Sequence, residues 1–270
     1  MYQTSKVRKR KNHTTLTDRI LNGIFRMRTL YWLGAVALFL AYPSSMIDGM
    51  RNNETEPVVR IPMKYNTHGI DISHHNGRID WEEVMSKDLE NPRVKFCFLK
   101  ATEGTDLIDE EFSTHWSDLS KHQVKRGAYH FFNPSTDPRL QALNFILNVK
   151  LNKGDFAPVL DWETLGPVSH RKDLIQNVQI WLDIIEKHYG IKPIIYTNKP
   201  IYQKYIKEFF PNYPLWISHY NVPELEGYEM DNIFFWQYSM EGKLPGIASD
   251  VDFNVFIRDD FEIERITLRQ

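Results

Sequence analysis

From residue 69 onward, short apolar runs alternate with longer stretches whose apolar residues recur every three or four positions. Compact runs rich in β-branched and aromatic residues predict strands, and the 3.6-residue recurrence predicts helices with one buried face. The first run predicts a strand over 69–73, followed by a helix from about 80. Strands are expected over 94–101, 124–132, 157–162 and 193–197, with helices over about 109–122, 138–151 and 200–209. The clearest helix carries Leu174, Val178, Trp181, Leu182 and Ile185 on one face. Ser169 is its expected N-cap, and Gly190 followed by Pro193 closes it. Beyond that point the pattern changes: 215–218, 233–239 and 251–257 read as strands with no helical periodicity between them.

Five strand–helix units and three further strands make eight, enough to close a sheet on itself. The expected fold class is therefore α/β, a flattened TIM-like barrel whose strands are mostly parallel and covered by helices. Barrels of this kind carry their chemistry at the C-terminal strand ends, where the loops converge. No internal repeat or low-complexity segment interrupts the pattern.

Composition adds a location. The 270 residues carry a net charge of only -2, which argues against a general polyanion-binding role for the whole chain. The charge is unevenly placed, because Lys6, Arg8, Lys9, Arg10, Lys11, Arg19, Arg26 and Arg28 precede an uncharged stretch over 29–47. That stretch is long enough to span a bilayer at the short end of the usual range of about 17–25 residues. The basic region is too long for an ordinary cleaved signal, and no A-x-A cleavage site follows. The expectation is a basic cytoplasmic tail over 1–28, an uncleaved transmembrane signal anchor over 29–47, a tether over 48–66 and a barrel domain over 67–270. The positive-inside rule then places the barrel outside the cytoplasm, either periplasmic or at the cell surface; cleavage of the segment would make it secreted. Cys97 is the single cysteine, so no internal disulfide can form, and its apolar neighbours predict a buried, inert thiol.

The informative polar residues are those at predicted strand ends. Asp71 closes the first strand, and Asp161 and Glu163 close the fourth, in VLDWE over 159–163. In an extended chain, residues i and i+2 share a face, so both carboxylates can enter one mouth while Trp162 points away. Two carboxylates held so close resist ionising together, which raises the pKa of one. A protonated acid beside an ionised partner is what glycoside cleavage requires. A bland reading stands beside this one: either group could cap the next turn or pair with Lys100. Tyr129, Tyr196, Trp216 and Trp236 lie at other strand ends, which makes a sugar-stacking groove plausible even though each alone reads as core packing.

Eight segments occur in an order that resembles glycoside hydrolase family 25, the muramidases typified by fungal and phage lysozymes. They are GIDISHHNGRIDW over 69–81, FLKATEG over 98–104, GAYHFF over 127–132, VLDWE over 159–163, IIYTN over 194–198, LWISHY over 215–220, FWQYS over 235–239 and GIASDVDFN over 246–254. The resemblance covers about residues 69–257; each motif alone is weak, and the ordered set is specific. It implies a flattened barrel of five strand–helix units and three further strands, and hydrolysis of the β-1,4 bond between N-acetylmuramic acid and N-acetylglucosamine in peptidoglycan. Carried over by motif, Glu163 is the general acid/base and Asp161 its partner, orienting the substrate's acetamido group. Asp71 and Asp252 complete an acidic cluster. Tyr129, Tyr196, Trp216 and Gln237 fall where the family lines its sugar groove, with Lys100 counted among them. Asp252 lies near the start of its apolar run, so it reaches the same mouth only from a loop or a reversed strand. The chain also departs from the family in having Asn76 where Gln is usual, preceded by His74 and His75.

Other chemistries find less in the chain. No H-x-x-x-H or H-E-x-x-H pattern appears, and no metal or other cofactor is expected. A phosphate loop and a G-x-S-x-G elbow are both absent. The basic tail is better explained by topology and anionic lipid than by nucleic acid. The expected partners are peptidoglycan strands and the membrane, with the protein acting as a monomer. The alternative from another class is a catalytically silent peptidoglycan-binding module. A chitinase-like enzyme would show D-x-x-D-x-D-x-E, and only D-x-E is present.

Overall fold

The computed structural model describes residues 60–86, 94–166 and 170–269. The expected tail, the anchor over 29–47, the tether up to residue 59 and the proposed cap Ser169 lie outside these residues. Among the described residues no helix is long and apolar enough to cross a membrane.

Among the described residues nine strands form in chain order: β1 Thr67–Ile72, β2 Val94–Glu103, β3 Leu107–Ile108, β4 Lys125–Phe131, β5 Val159–Trp162, β6 Ile194–Asn198, β7 Leu215–Ser218, β8 Ile233–Gly242 and β9 Val251–Phe256. Eight of them run around the sheet in the order β1-β9-β8-β7-β6-β5-β4-β2, and a parallel β1–β2 pairing closes the ring. The expected count of eight barrel strands holds. The ninth, β3, was not expected; it is a two-residue hairpin strand laid antiparallel on the end of β2. Around the ring every pairing is parallel except the two made by β9, which runs against both β8 and β1. The connection from β8 to β9 is too short for a crossover, so the chain can only turn back on itself. Reversal puts the start of β9 beside the end of β1, where Asp71 pairs in register with Asp252.

Helices α1 Trp81–Val84, α2 Phe112–Lys121, α3 Pro138–Asn148 and α4 Arg171–Tyr189 cover the outside, followed by a segment, α5, over 199–209. Asp137 caps α3 by accepting from the Arg139 N–H at 2.8 Å, with Pro138 preset for the first turn. Helix α4 buries the five predicted residues and ends at Gly190, whose φ of 71° suits the left-handed cap. Its N-cap is His170, which makes no side-chain cap bond, so the sequence-based boundary at Ser169 was one residue early. Segment α5 contains a π-helical turn over Tyr202–Ile206 that periodicity did not foretell.

Alternation along the strands creates two cores. Cys97, Leu99, Leu160, Trp162, Ile195 and Val255 face the helices, and Trp162 packs against Tyr205 with ring centroids 5.4 Å apart. Inside the barrel, Phe96, Phe98, Phe156, Phe235 and Phe256 fill the lower half. Phe98 stacks on Trp216 at 4.5 Å and meets Phe235 edge-on at 5.0 Å. Rings of this size fit because two neighbouring strands present glycine. A Cβ on Gly127 would lie 2.4 Å from the Phe98 ring, and one on Gly69 2.4 Å from the Phe96 carbonyl oxygen. The C-terminal segment plugs the floor: Thr267 bridges Phe156, and the Ala157 N–H donates to the Ile266 carbonyl at 2.8 Å. With the lower half packed solid, the upper half alone is left for chemistry.

Gly127→Ala should overpack this interior and lower stability by about 1–3 kcal/mol. Urea unfolding of the variant against the parent measures the loss.

Candidate active site

The upper half of the barrel is polar and open. A cavity of about 250 Å³ is lined by Asp71, Lys100, Tyr129, Asp161, Glu163, Tyr196, Trp216, Gln237 and Asp252, together with Ser73, His75 and Phe131. The nine residues predicted for the site meet here, from all eight barrel strands or their ends. Trp236 does not: it faces the helices, and its indole donates to the His219 carbonyl at 2.8 Å. His130 also faces outward, between Thr102 at 2.7 Å and Gln141 at 3.1 Å, and burial lowers its pKa to about 4.

Asp161 and Glu163 share a face as the two-residue period requires. Asp161 is the third residue of β5 and is buried, whereas Glu163 follows the strand and is half-buried at the mouth. The backbone around them is fixed, since the Phe132 N–H donates to the Asp161 carbonyl at 2.9 Å and the Asn198 amide to the Glu163 carbonyl at 3.2 Å. Asp161 is pushed well above the usual carboxylate range, chiefly by burial and then by the Glu163 and Asp71 charges, with Lys100 opposing. For Asp161, desolvation outweighs the pairing with Glu163. Lys100 does not bond either carboxylate; its ammonium donates to Glu103 at 2.6 Å. One Asp161 oxygen, Oδ1, is buried with no hydrogen-bond partner among the described residues.

On the opposite wall Asp71 is held by two amides. The Gln237 Nε2 donates to its Oδ2 at 2.8 Å and the Asn254 Nδ2 at 2.6 Å. Gln237 is oriented in turn by the Tyr196 hydroxyl, which donates to its Oε1 at 2.7 Å, and by Tyr220. The Trp216 indole fixes Asn254 at 2.8 Å. Trp216 is thus part of the cavity floor, its ring already stacked on Phe98. Burial and the Asp252 charge raise Asp71 well above its ordinary value, and the interaction of the two carboxyls favours the proton on Asp71. Asp252 rises to about 6, mainly through burial.

Sequence reasoning missed Asn254, Tyr220, Ser73, His75 and Phe131. Asn254 and Tyr220 were already inside quoted motifs. The strand expected over 251–257 already carries Asp252 and Asn254 at i, i+2 spacing, which places both on one barrel face. Among the described residues no group of three or more His, Cys, Asp or Glu is placed to hold a metal ion.

A closed barrel with paired carboxyls, one of them desolvated, in a ring-sized cavity is the arrangement of a glycoside hydrolase. Comparison narrows the class. The family described as glycosyl hydrolases family 25 matches residues 70–247. The chain is 37% identical over 257 residues to the uncharacterized protein YegX of Escherichia coli strain K12, covering 93% of this chain and 92% of that one. Lysozyme M1 of Streptomyces globisporus is 28% identical over 206 residues, 70% of this chain and 67% of that one. A solved structure of a family 25 glycosyl hydrolase from Bacillus anthracis matches with a TM-score of 0.70 and 32% identity, covering 80% of this chain and 100% of that chain. The chain belongs to glycosyl hydrolase family 25 and is a glycoside hydrolase.

The acid cluster is held together at the expense of stability, and the pH dependence follows. Asp252 has a folded pKa near 6, above its ordinary 3.8, so the folded state binds more protons than the unfolded one between those values. Its ionisation therefore costs stability as pH rises through that window. Asp252→Asn should raise the melting temperature at pH 7, with the gain vanishing below 3.8. Thermal melts across pH check the sign; a variant less stable than the parent at pH 7 would contradict it.

Proposed function

We propose that the protein is a lysozyme, an N-acetylmuramidase that hydrolyses the β-1,4 bond between N-acetylmuramic acid and N-acetylglucosamine in peptidoglycan. The observation that carries this reading is the unpartnered Asp161 Oδ1, buried in the cavity beside Glu163. A buried carboxyl oxygen without a donor is costly unless a ligand supplies one. The acetamido N–H of an amino sugar is such a donor. Relatives named as lysozymes agree with the reading.

Glu163 stands at the mouth; it takes over the proton of the pair when the acetamido N–H occupies Asp161, and it protonates the glycosidic oxygen as the bond to the anomeric carbon breaks. The acetamido carbonyl oxygen of the same sugar attacks that carbon from the opposite side, closing a ring. Positive charge then develops on the acetamido nitrogen, and Asp161 accepts its N–H. The raised basicity of Asp161 favours this, because a carboxylate that resists ionisation in the empty site binds a donor more strongly when one arrives. Glu163, now ionised, takes a proton from water, which opens the intermediate on the original face. Asp71 and Asp252 keep the opposite wall acidic, supporting the developing charge, while Tyr129, Tyr196, Gln237 and Lys100 shape the cavity around the sugar. No step uses a metal.

We further propose that residues 29–47 remain attached as a signal anchor and hold the barrel, over 67–270, outside the cytoplasm on a tether over 48–66. The support is the basic-then-apolar pattern and the extracytoplasmic position of the substrate.

Glu163→Gln should lower cell-wall clearing by at least 10²-fold, the usual scale for losing a general acid, with wall binding kept. In the parent, NMR should show the β-anomer as first product. Clearing by the variant would refute the assignment of the acid, and an α-anomer would refute acetamido assistance. Sequencing the N-terminus of the membrane-extracted protein should find residues 1–47 still attached; their absence would refute the anchor.

A further inference from the structure

The imidazole in the cavity lining takes no part in the chemistry above. His75 lies on the 3-10 turn His74–Asn76 that follows β1, and it is exposed at the rim of the cavity. Its placement is built from beneath. The His74 and His75 rings are 4.0 Å apart, and His74 is held by Asp109, whose Oδ2 accepts from the His74 N–H at 2.9 Å and bonds its Nδ1 at 2.7 Å. Asp109 is 3% exposed, and the Glu111 N–H at 3.1 Å engages its other oxygen. Asn76 anchors the far side of the turn, donating to Ser249 Oγ and the Asp250 carbonyl, both at 3.0 Å, on the loop that leads into Asp252. The ring nitrogens of His75 make no hydrogen bond among the described residues.

The rest of the cavity is hostile to a negatively charged substituent. Four carboxyl groups line it, the Lys100 ammonium is taken by Glu103, and the Tyr129 phenol lies among Asp71, Asp161 and Asp252. A muramyl ring differs from N-acetylglucosamine by a lactyl group on O3, whose carboxyl is an anion when free and an amide carbonyl when it carries a peptide. Repulsion from the acids turns that group toward the rim, where an imidazole N–H waits.

We propose that His75 donates a hydrogen bond to the lactyl carboxyl group of the muramyl residue, and that the site distinguishes a muramyl ring from N-acetylglucosamine through this contact. His74 and Asp109 act as positioning residues for it. The inference rests on the muramidase reading and adds its specificity determinant.

The test measures binding by calorimetry to the full chain carrying Glu163→Gln, so that sugars are not consumed. The probes are a peptide-free N-acetylglucosaminyl-N-acetylmuramyl tetrasaccharide and an N-acetylglucosamine tetramer. Adding His75→Ala should weaken the muramyl tetrasaccharide about tenfold, the scale of one hydrogen bond to a charged group, and leave the tetramer unchanged. His75→Gln, which retains a donor, should recover most of the loss, and His74→Ala should weaken the same probe to a lesser degree. Unchanged muramyl affinity in His75→Ala, or equal losses for both sugars, overturns the inference alone. Failure of the Glu163→Gln parent to bind either sugar overturns the muramidase reading and this inference with it.

Discussion

Carboxyl groups repel one another and dislike leaving water, yet this barrel gathers four of them at one open end. Two are almost fully buried, and burial, more than mutual repulsion, raises their hold on a proton. The remainder of the molecule is organised to tolerate that penalty. Gln237 and Asn254 are held by Tyr196, Tyr220 and Trp216, and each presents an amide hydrogen to Asp71. Below them, the phenylalanine-filled half of the barrel leaves the polar ring no room to sink or rearrange. Among the four carboxyl groups, the buried oxygen left without a partner is Asp161 Oδ1, on the group that proposed catalysis needs to be hungry for a donor.

The two walls of the cavity are built by different devices. Asp161 and Glu163 come from a single strand end, so their spacing follows from strand geometry. Asp71 and Asp252 are 181 positions apart and meet because β9 runs antiparallel between β8 and β1. An all-parallel barrel would have placed Asp252 at the floor. The reversed strand thus closes the sheet and also carries the fourth acid, with Asn254, to the mouth. The histidine pair at the rim depends on the same strand, since Asn76 is tied to the loop that precedes it.

Much of this was legible in the chain. The eight barrel strands, the outward face of Trp162, the buried Cys97 and the carboxylates Asp71, Asp161 and Glu163 follow from two-residue and 3.6-residue periods, which are local properties of the backbone, whereas Asp252 was carried over by the family resemblance alone. The residues that could not be read are those defined by partners far away. Nothing local marks Asn254 as the amide that holds Asp71, or Trp216 as floor in place of stacking platform. Trp236 looked like a groove aromatic until its strand phase was known. The boundary at Ser169, the π-helical turn in α5 and the small strand β3 were missed because caps, extra backbone turns and two-residue pairings leave little trace in composition.

The sequence by itself determined the elements, their alternation and the family to which the chain belongs, because apolar period and motif order are written in one dimension. The tertiary structure decided which acid is desolvated. Asp161 and Glu163 are equivalent in a pattern, but one lies on the strand, below the rim, and the other one residue past its end. Proton affinity depends on the surrounding dielectric and on charges contributed by other strands, and neither exists until the sheet has closed.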